Sequence, residues 1–414
     1  MKNVWLLATV SFLYGVAIGT WATATPQACL ELRFSSEQLG LIGSGPAVGY
    51  ALSCLILGQL CRGLRGKHVL LAGVAISLAA AVWMSQASDA SGATAAQLLL
   101  GLAAGAFWPF CSAWMLDFQC EGISKSRILR FYNLGWTSGT MLGFLVGGWL
   151  CAAGIVLGAF LACAALFGVV LVLSLFPSGT SPRHAEVLPT QQRRAVEAAR
   201  EVAHPVGWAL FAAAALANLA ALAGRAIVNV NYAELNEVYG YGKDRMGYLG
   251  AASLAGQMLA FAMGRWYEPY LGLRRTYFAL GAVLAAVSLA LAYVENLPLL
   301  LLLVVLVGFV LALAFQSGIV AATGFFASPR TGTTVHEAVV GLGTMAPLLA
   351  GVVVQWAKES GWETREALRA PFAVLALTAL LIAVVQALLV SKQPERRALL
   401  AGDVHAAKAA GNVD

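Results

Sequence analysis

Twelve long apolar runs limit what this chain can fold into. They fall at 5–29, 38–60, 68–86, 93–116, 128–149, 152–176, 206–232, 245–263, 276–294, 298–322, 333–356 and 370–391. About 20 helical residues cross the hydrocarbon core of a bilayer. Hydrocarbon offers no partner to backbone N–H and C=O groups, so only helices and closed barrels span it. Barrel strands alternate polar and apolar residues over about ten positions. These runs do not alternate, so they read as helices. The composition agrees: 60% of the 414 residues are hydrophobic and 11% are charged, where soluble domains carry about 25% charged residues. The first run follows Lys2 like a secretory leader, but it is longer than a leader's apolar core. It reads as the first span.

The charged residues orient the spans. With both termini on one side, 19 of the 26 Lys and Arg residues fall on that side. Six fall opposite (Arg33, Lys243, Arg245, Lys358, Arg365 and Arg369), and Arg225 alone lies inside a span. Cytoplasmic loops are the basic ones, so the termini are expected in the cytoplasm and the net charge of +6 needs no nucleic-acid partner. The longest polar stretch, 177–205, divides the spans six and six, and its Arg193 and Arg194 suit anionic headgroups. The halves repeat. An offset of 203 residues pairs Arg127 with Arg330 and Gly148 with Gly351, and an offset of 206 pairs Gly58 with Gly264. The expected organisation is a bundle at 1–176, a linker at 177–205, a second bundle at 206–392 and a tail at 393–414. Gly135, Gly139, Gly143 and Gly147 recur every four residues in the fifth span. Such a stripe lets another helix backbone come close.

Arg225 is the conspicuous residue. Asn218, Arg225, Asn229, Tyr232 and Asn236 share one helical stripe of the seventh span. A lone charge inside a span costs about 2.5–3.5 kcal/mol on insertion scales and points to function. A guanidinium offers a planar fork of donors to a carboxylate or phosphate. Arg225 therefore has three readings: it anchors an anionic group of a substrate, it reaches the headgroups, or it pairs with Glu234 or Glu237. Tyr14, Trp21, Trp108 and Trp136 add aromatic faces, and Gln257 and Gln316 add amides, a combination suited to a polar ring. His336 and Glu337 are adjacent titratable groups inside a span. They either carry coupling protons or belong to a gate at the nearby end. The seven cysteines form no CxxC pair and read as packing residues.

Several motifs together resemble the major facilitator superfamily of transporters. GQLCRGLRGKHVLL (58–71) is similar to that family's loop between the second and third helices, although Arg62 stands where its acid is usual. GRWYEPYLGLRR, from Gly264, is the second copy and keeps an acid at Glu268. SAWMLDFQCEGISKSR (112–127) resembles the end of the family's fourth helix, and residues 12–42 resemble its first hairpin. The resemblance implies an all-α membrane protein with twelve transmembrane helices in two six-helix bundles, a cavity lined by the first, fourth, seventh and tenth helices, and charged gates. Here the gate pairs would be Asp117 with Arg62, Arg65 or Arg130, and Glu268 with Arg330. Gln97 precedes Gly101 where family antiporters often carry Arg, and Gly143-Phe144 stands where they often carry Gly-Pro. Both departures point away from drug/proton antiport.

The sequence carries no Walker, Rossmann, HExxH or GxSxG motif and calls for no enzyme activity, cofactor or metal. It is expected to be a monomeric secondary transporter of the bacterial inner membrane, importing an organic anion or polar ring-containing metabolite, with protons as candidate co-substrate. The alternatives are an exporter of drugs or metabolites, and a transporter-like receptor that binds without moving its ligand.

Overall fold

The computed structural model describes residues 2–60, 66–117, 125–177, 207–267, 270–271, 273–326 and 329–390. Among them are fifteen helices and no strand. The first six are α1 (Lys2–Glu31), α2 (Ser36–Leu60), α3 (Gly66–Met84), α4 (Ala90–Asp117), α5 (Lys125–Ala152) and α6 (Val156–Leu175). The rest are α7 (Trp208–Val230), α8 (Tyr232–Val238), α9 (Asp244–Ala262), α10 (Gly264–Tyr267), α11 (Arg274–Tyr293), α12 (Leu297–Phe325), α13 (Pro329–Thr344), α14 (Ala346–Glu359) and α15 (Thr364–Val390). Ten stretches are long and apolar enough to cross a membrane, two of them running through the paired helices α7–α8 and α13–α14. With α5 and α9 these make twelve crossings in two six-helix bundles.

The sequence boundaries shift in three places. The turn between α5 and α6 falls at 153–155 rather than near Cys151, because Gly154, at φ 75°, supplies the left-handed residue that ends α5. The seventh span continues past its expected end and breaks at Asn231. The eleventh breaks at Met345, ahead of Pro347. Proline has no N–H and its ring crowds the preceding turn, which weakens the helix there.

Within the first bundle α5 lies along α1, and α4 along α2. The glycine stripe explains the first contact. A Cβ on Gly135, Gly139, Gly143 or Gly147 would meet the carbonyl oxygens of Ala8, Phe12, Val16 and Thr20 in turn, at 3.2, 2.0, 2.1 and 2.9 Å. Only hydrogen fits at the central positions. The repeat shows in the second contact: Gly49 and Gly101 join α2 to α4, and Gly256 and Gly308, 207 residues later, join α9 to α12 in the same way.

Two seams join the bundles, α5 against α9 and α2 against α13 and α14. We call the face where α1 meets α2 the distal face. From there inward the seams carry Lys243–Glu31 at 2.6 Å, a Ser36–Glu234–Lys358 cluster, Gly148 against Gly247, Gly40 against Gly351, Gly43 against Val230, and Ser44 against Met345. They run as far as mid-span, where Tyr50 meets Glu337.

Candidate functional site

The site is built on the polar face of α7. Asn218 and Arg225 are seven residues apart, so they project from nearly the same side, about 10 Å apart along the axis. Asn218 is fully buried. Its amide nitrogen lies 3.6 Å from where a side chain on Gly318 of α12 would begin, and the His336 ring of α13 lies about 3 Å from that point. Glycine at 318 therefore makes the space in which Asn218 and His336 face one another. Both amide atoms of Asn218, Nε2 of His336 and Oδ1 of Asn229 are buried without a hydrogen-bond partner among the described residues. The edge of the Phe315 ring closes over His336 at 4.6 Å.

Arg225 continues this face toward the distal end. It is half-buried among the helices. No described residue bonds to its guanidinium. The expected pairing alternatives are not formed: Glu234 is bonded to Ser36 at 2.6 Å and to Lys358 at 3.2 Å, and Glu237 is exposed at the distal end.

The opposing wall comes from the first bundle. Tyr50 of α2 donates its hydroxyl to Oε2 of Glu337 at 2.6 Å, across the seam. Tyr132 of α5 lies within electrostatic reach of both. It donates to the Trp108 carbonyl at 3.2 Å, while the Trp108 ring meets Tyr132 and Trp136 edge-on at 6.3 and 6.0 Å. Asn133 accepts from the Trp136 indole at 3.2 Å. Trp108 and Trp136 stay partly exposed. The first bundle thus contributes aromatic faces with polar edges, and the second an amide, an imidazole and a guanidinium.

The other sequence candidates lie elsewhere. Tyr14 is sealed in the first bundle, stacked on Phe107 at 3.7 Å and bonded to Ser77 at 2.9 Å. Trp21 is buried there too, donating to Gln97 at 2.9 Å, and Gln97 donates on to Thr25 at 2.7 Å. Both hold the bundle together and stand behind the site. Gln257 is buried in α9 with its oxygen unpartnered, and Gln316 is partly exposed on α12. Of the gate residues, Arg62, Arg65 and Glu268 lie outside the described residues, as do the side chains of Asp117, Arg130 and Arg330. Tyr50, Tyr132 and Ser44 went unnoticed in the sequence. For Tyr132 a signal existed, since it stands four residues before Trp136 and so shares its face.

Known proteins place this architecture. The model of the Major Facilitator Superfamily matches residues 7–270 and 214–410. The Arabinose-proton symporter of Escherichia coli (strain K12) is 26% identical over 226 residues, 49% of this chain and 47% of that protein, so the match spans about half the length of that relative. The crystal structure of the nucleoside transporter NupG superposes with a TM-score of 0.70 at 15% identity, covering 95% of this chain and 100% of that one. A bacterial homolog of the human lysosomal transporter Spinster, in an inward-facing and unoccupied conformation, gives 0.68 at 16% identity, covering 94% and 95%. These relatives are transporters rather than enzymes, and at this identity the structures speak for the fold alone. With twelve crossings in two related bundles and a family match along nearly its whole length, the chain belongs to the Major Facilitator Superfamily.

Proposed function

We propose that this protein is a secondary transporter of a bacterial cytoplasmic membrane. It imports a small organic anion or polar ring-bearing metabolite by alternating access of two halves, 1–176 and 206–392, acting as a monomer with both termini in the cytoplasm. The proton gradient drives it, and His336 and Glu337 are the embedded titratable groups available for coupling. The observation that carries this reading is Arg225: a half-buried cation within a span that no described residue pairs. A substrate carboxylate or phosphate supplies the missing charge, and the Trp108–Trp136–Tyr132 wall takes the ring. The sugar symporter relative supports a polar, ring-bearing solute.

The test is uptake into proteoliposomes. Labelled organic anions, sugars and nucleosides are offered with and without a pH gradient, and the hits are repeated with Arg225→Ala and Arg225→Lys. Stranding a buried anion costs about 2 kcal/mol or more, so Arg225→Ala is expected to weaken apparent affinity for an anionic substrate roughly 30-fold or more. Arg225→Lys keeps the charge without the fork and falls between. Unchanged uptake by Arg225→Ala overturns the anchoring role. Binding without flux identifies a receptor instead.

A further inference from the structure

Helix α13 is tied to the other bundle in a way that rigid rocking does not require. Its span breaks at Met345, and the hydroxyl of one α2 residue fills the break. Ser44 Oγ donates to the Met345 carbonyl at 3.0 Å and accepts from the Leu348 N–H at 2.8 Å. The backbone bonds across the same point run three residues back rather than four, Met345 to Leu342 at 3.2 Å and Leu348 to Met345 at 3.1 Å. On the distal side α14 is clamped to α2 backbone to backbone: a Cβ on Gly40 would lie 2.3 Å from the Pro347 carbonyl oxygen, and one on Gly351 would lie 2.4 Å from that of Ser36. On the other side α2 holds α13 through Gly341 against Ala51 and, one turn on, through the Tyr50–Glu337 hydrogen bond.

We propose that α13 is a hinged gating segment. It swings about the Met345–Pro347 break while α14 stays clamped to α2. Ser44 is the pin, a cross-bundle cap for a helix that cannot cap itself. Tyr50–Glu337 is the catch. Glu337 and His336 are adjacent on α13 but serve opposite sides, one toward α2 and the other toward Asn218 of α7. A swing of α13 therefore breaks the catch and reshapes the polar pocket together. A proline break of this kind is a recognised place for a helix to bend.

The inference goes beyond the transport reading, because its test needs no substrate. Spin labels placed at Leu55 and Thr331 report on α13 against α2, and labels at Leu41 and Ser360 report on α14 against α2, with the full chain in lipid nanodiscs. All four positions are exposed. Tyr50→Phe is expected to broaden the first distance distribution and leave the second unchanged. Glu337→Gln, whose amide oxygen still accepts from Tyr50, is expected to keep both. An unchanged first distribution in Tyr50→Phe, or a joint change of both distances, overturns the hinge. Hydrogen exchange tests the pin separately. Ser44→Ala is expected to speed exchange of the Leu348 amide about tenfold, the upper end of one hydrogen bond, whereas Ser44→Thr keeps the wild-type rate. Equal rates in both variants overturn the pin.

Discussion

Gln97 shows how one side chain acts in a membrane bundle. It accepts from the Trp21 indole and donates to Thr25, and Thr25 in turn donates to the Trp21 carbonyl at 3.0 Å. All three are buried between α1 and α4. Gln97→Leu removes both bonds and strands the indole N–H. In soluble cores that costs about 1–3 kcal/mol, but interhelical bonds in membranes average about 0.6 kcal/mol because the separated helices find other partners. The expected loss is therefore about 1 kcal/mol. A lower unfolding midpoint in detergent reads it, and Trp21→Phe in the Gln97→Leu background recovers part of it. No recovery in the double variant would mean the network is not the cause. The same network explains a misreading. Tyr14 and Trp21 look like cavity residues because aromatic side chains with polar tips share a face of α1. That face meets neighbouring helices, and the sequence does not show it: lipid, bundle interior and cavity rim all accept an aromatic ring. Arg225 draws attention in the sequence because a charge is costly in two of those three places.

At the scale of elements, spacing carried further than residue type. A small residue every four positions predicted a close contact, and α1 lies against that stripe with its carbonyls in step. Gly143→Ala is accordingly expected to destabilise the bundle by about 1–3 kcal/mol, the usual cost of overpacking, since its new methyl would sit 2.1 Å from the Val16 carbonyl oxygen and backbone has nowhere to go. Gly168→Ala is the control. Its Cβ would meet nothing nearer than Leu78 at 4.0 Å, so it should match wild type in unfolding midpoint and monodisperse yield. Equal loss in both variants would place the effect outside the α1–α5 contact, because propensity alone would favour alanine. The breaks at Asn231 and Met345 were not legible. A proline alone is no guide, since Pro26, Pro46, Pro109 and Pro371 sit inside helices that continue. What distinguishes Pro347 is Ser44, 303 residues away in sequence, and no local pattern reveals a partner at that distance.

The whole molecule is held shut at its distal face by two polar clasps of unequal weight. Lys243–Glu31 joins side chains about 40% exposed, and such pairs contribute roughly 0–1 kcal/mol and are screened by salt. In the other clasp Lys358 donates to Ser36 at 2.7 Å and to Glu234 at 3.2 Å, and Ser36 donates to Glu234 at 2.6 Å. The Glu234 side chain there is only 11% exposed. Three residues from α2, α8 and α14 thus meet across the seam at Glu234 Oε1, and removing one strands a largely buried charge. Opening the distal face has to break this cluster, so it weighs on the balance between the two facings of the transporter. Lys358→Met should move the population toward a distal-open state, read as a longer distance between labels at Glu37 and Ser360. Lys243→Met should leave that distance near wild type. High salt should blunt any small effect of Lys243→Met while leaving that of Lys358→Met, because screening reaches exposed pairs and not enclosed ones. If both variants open the face equally, burial does not set the weight of the clasps, and closure rests on the glycine contacts at Gly40–Gly351 and Gly148–Gly247 instead.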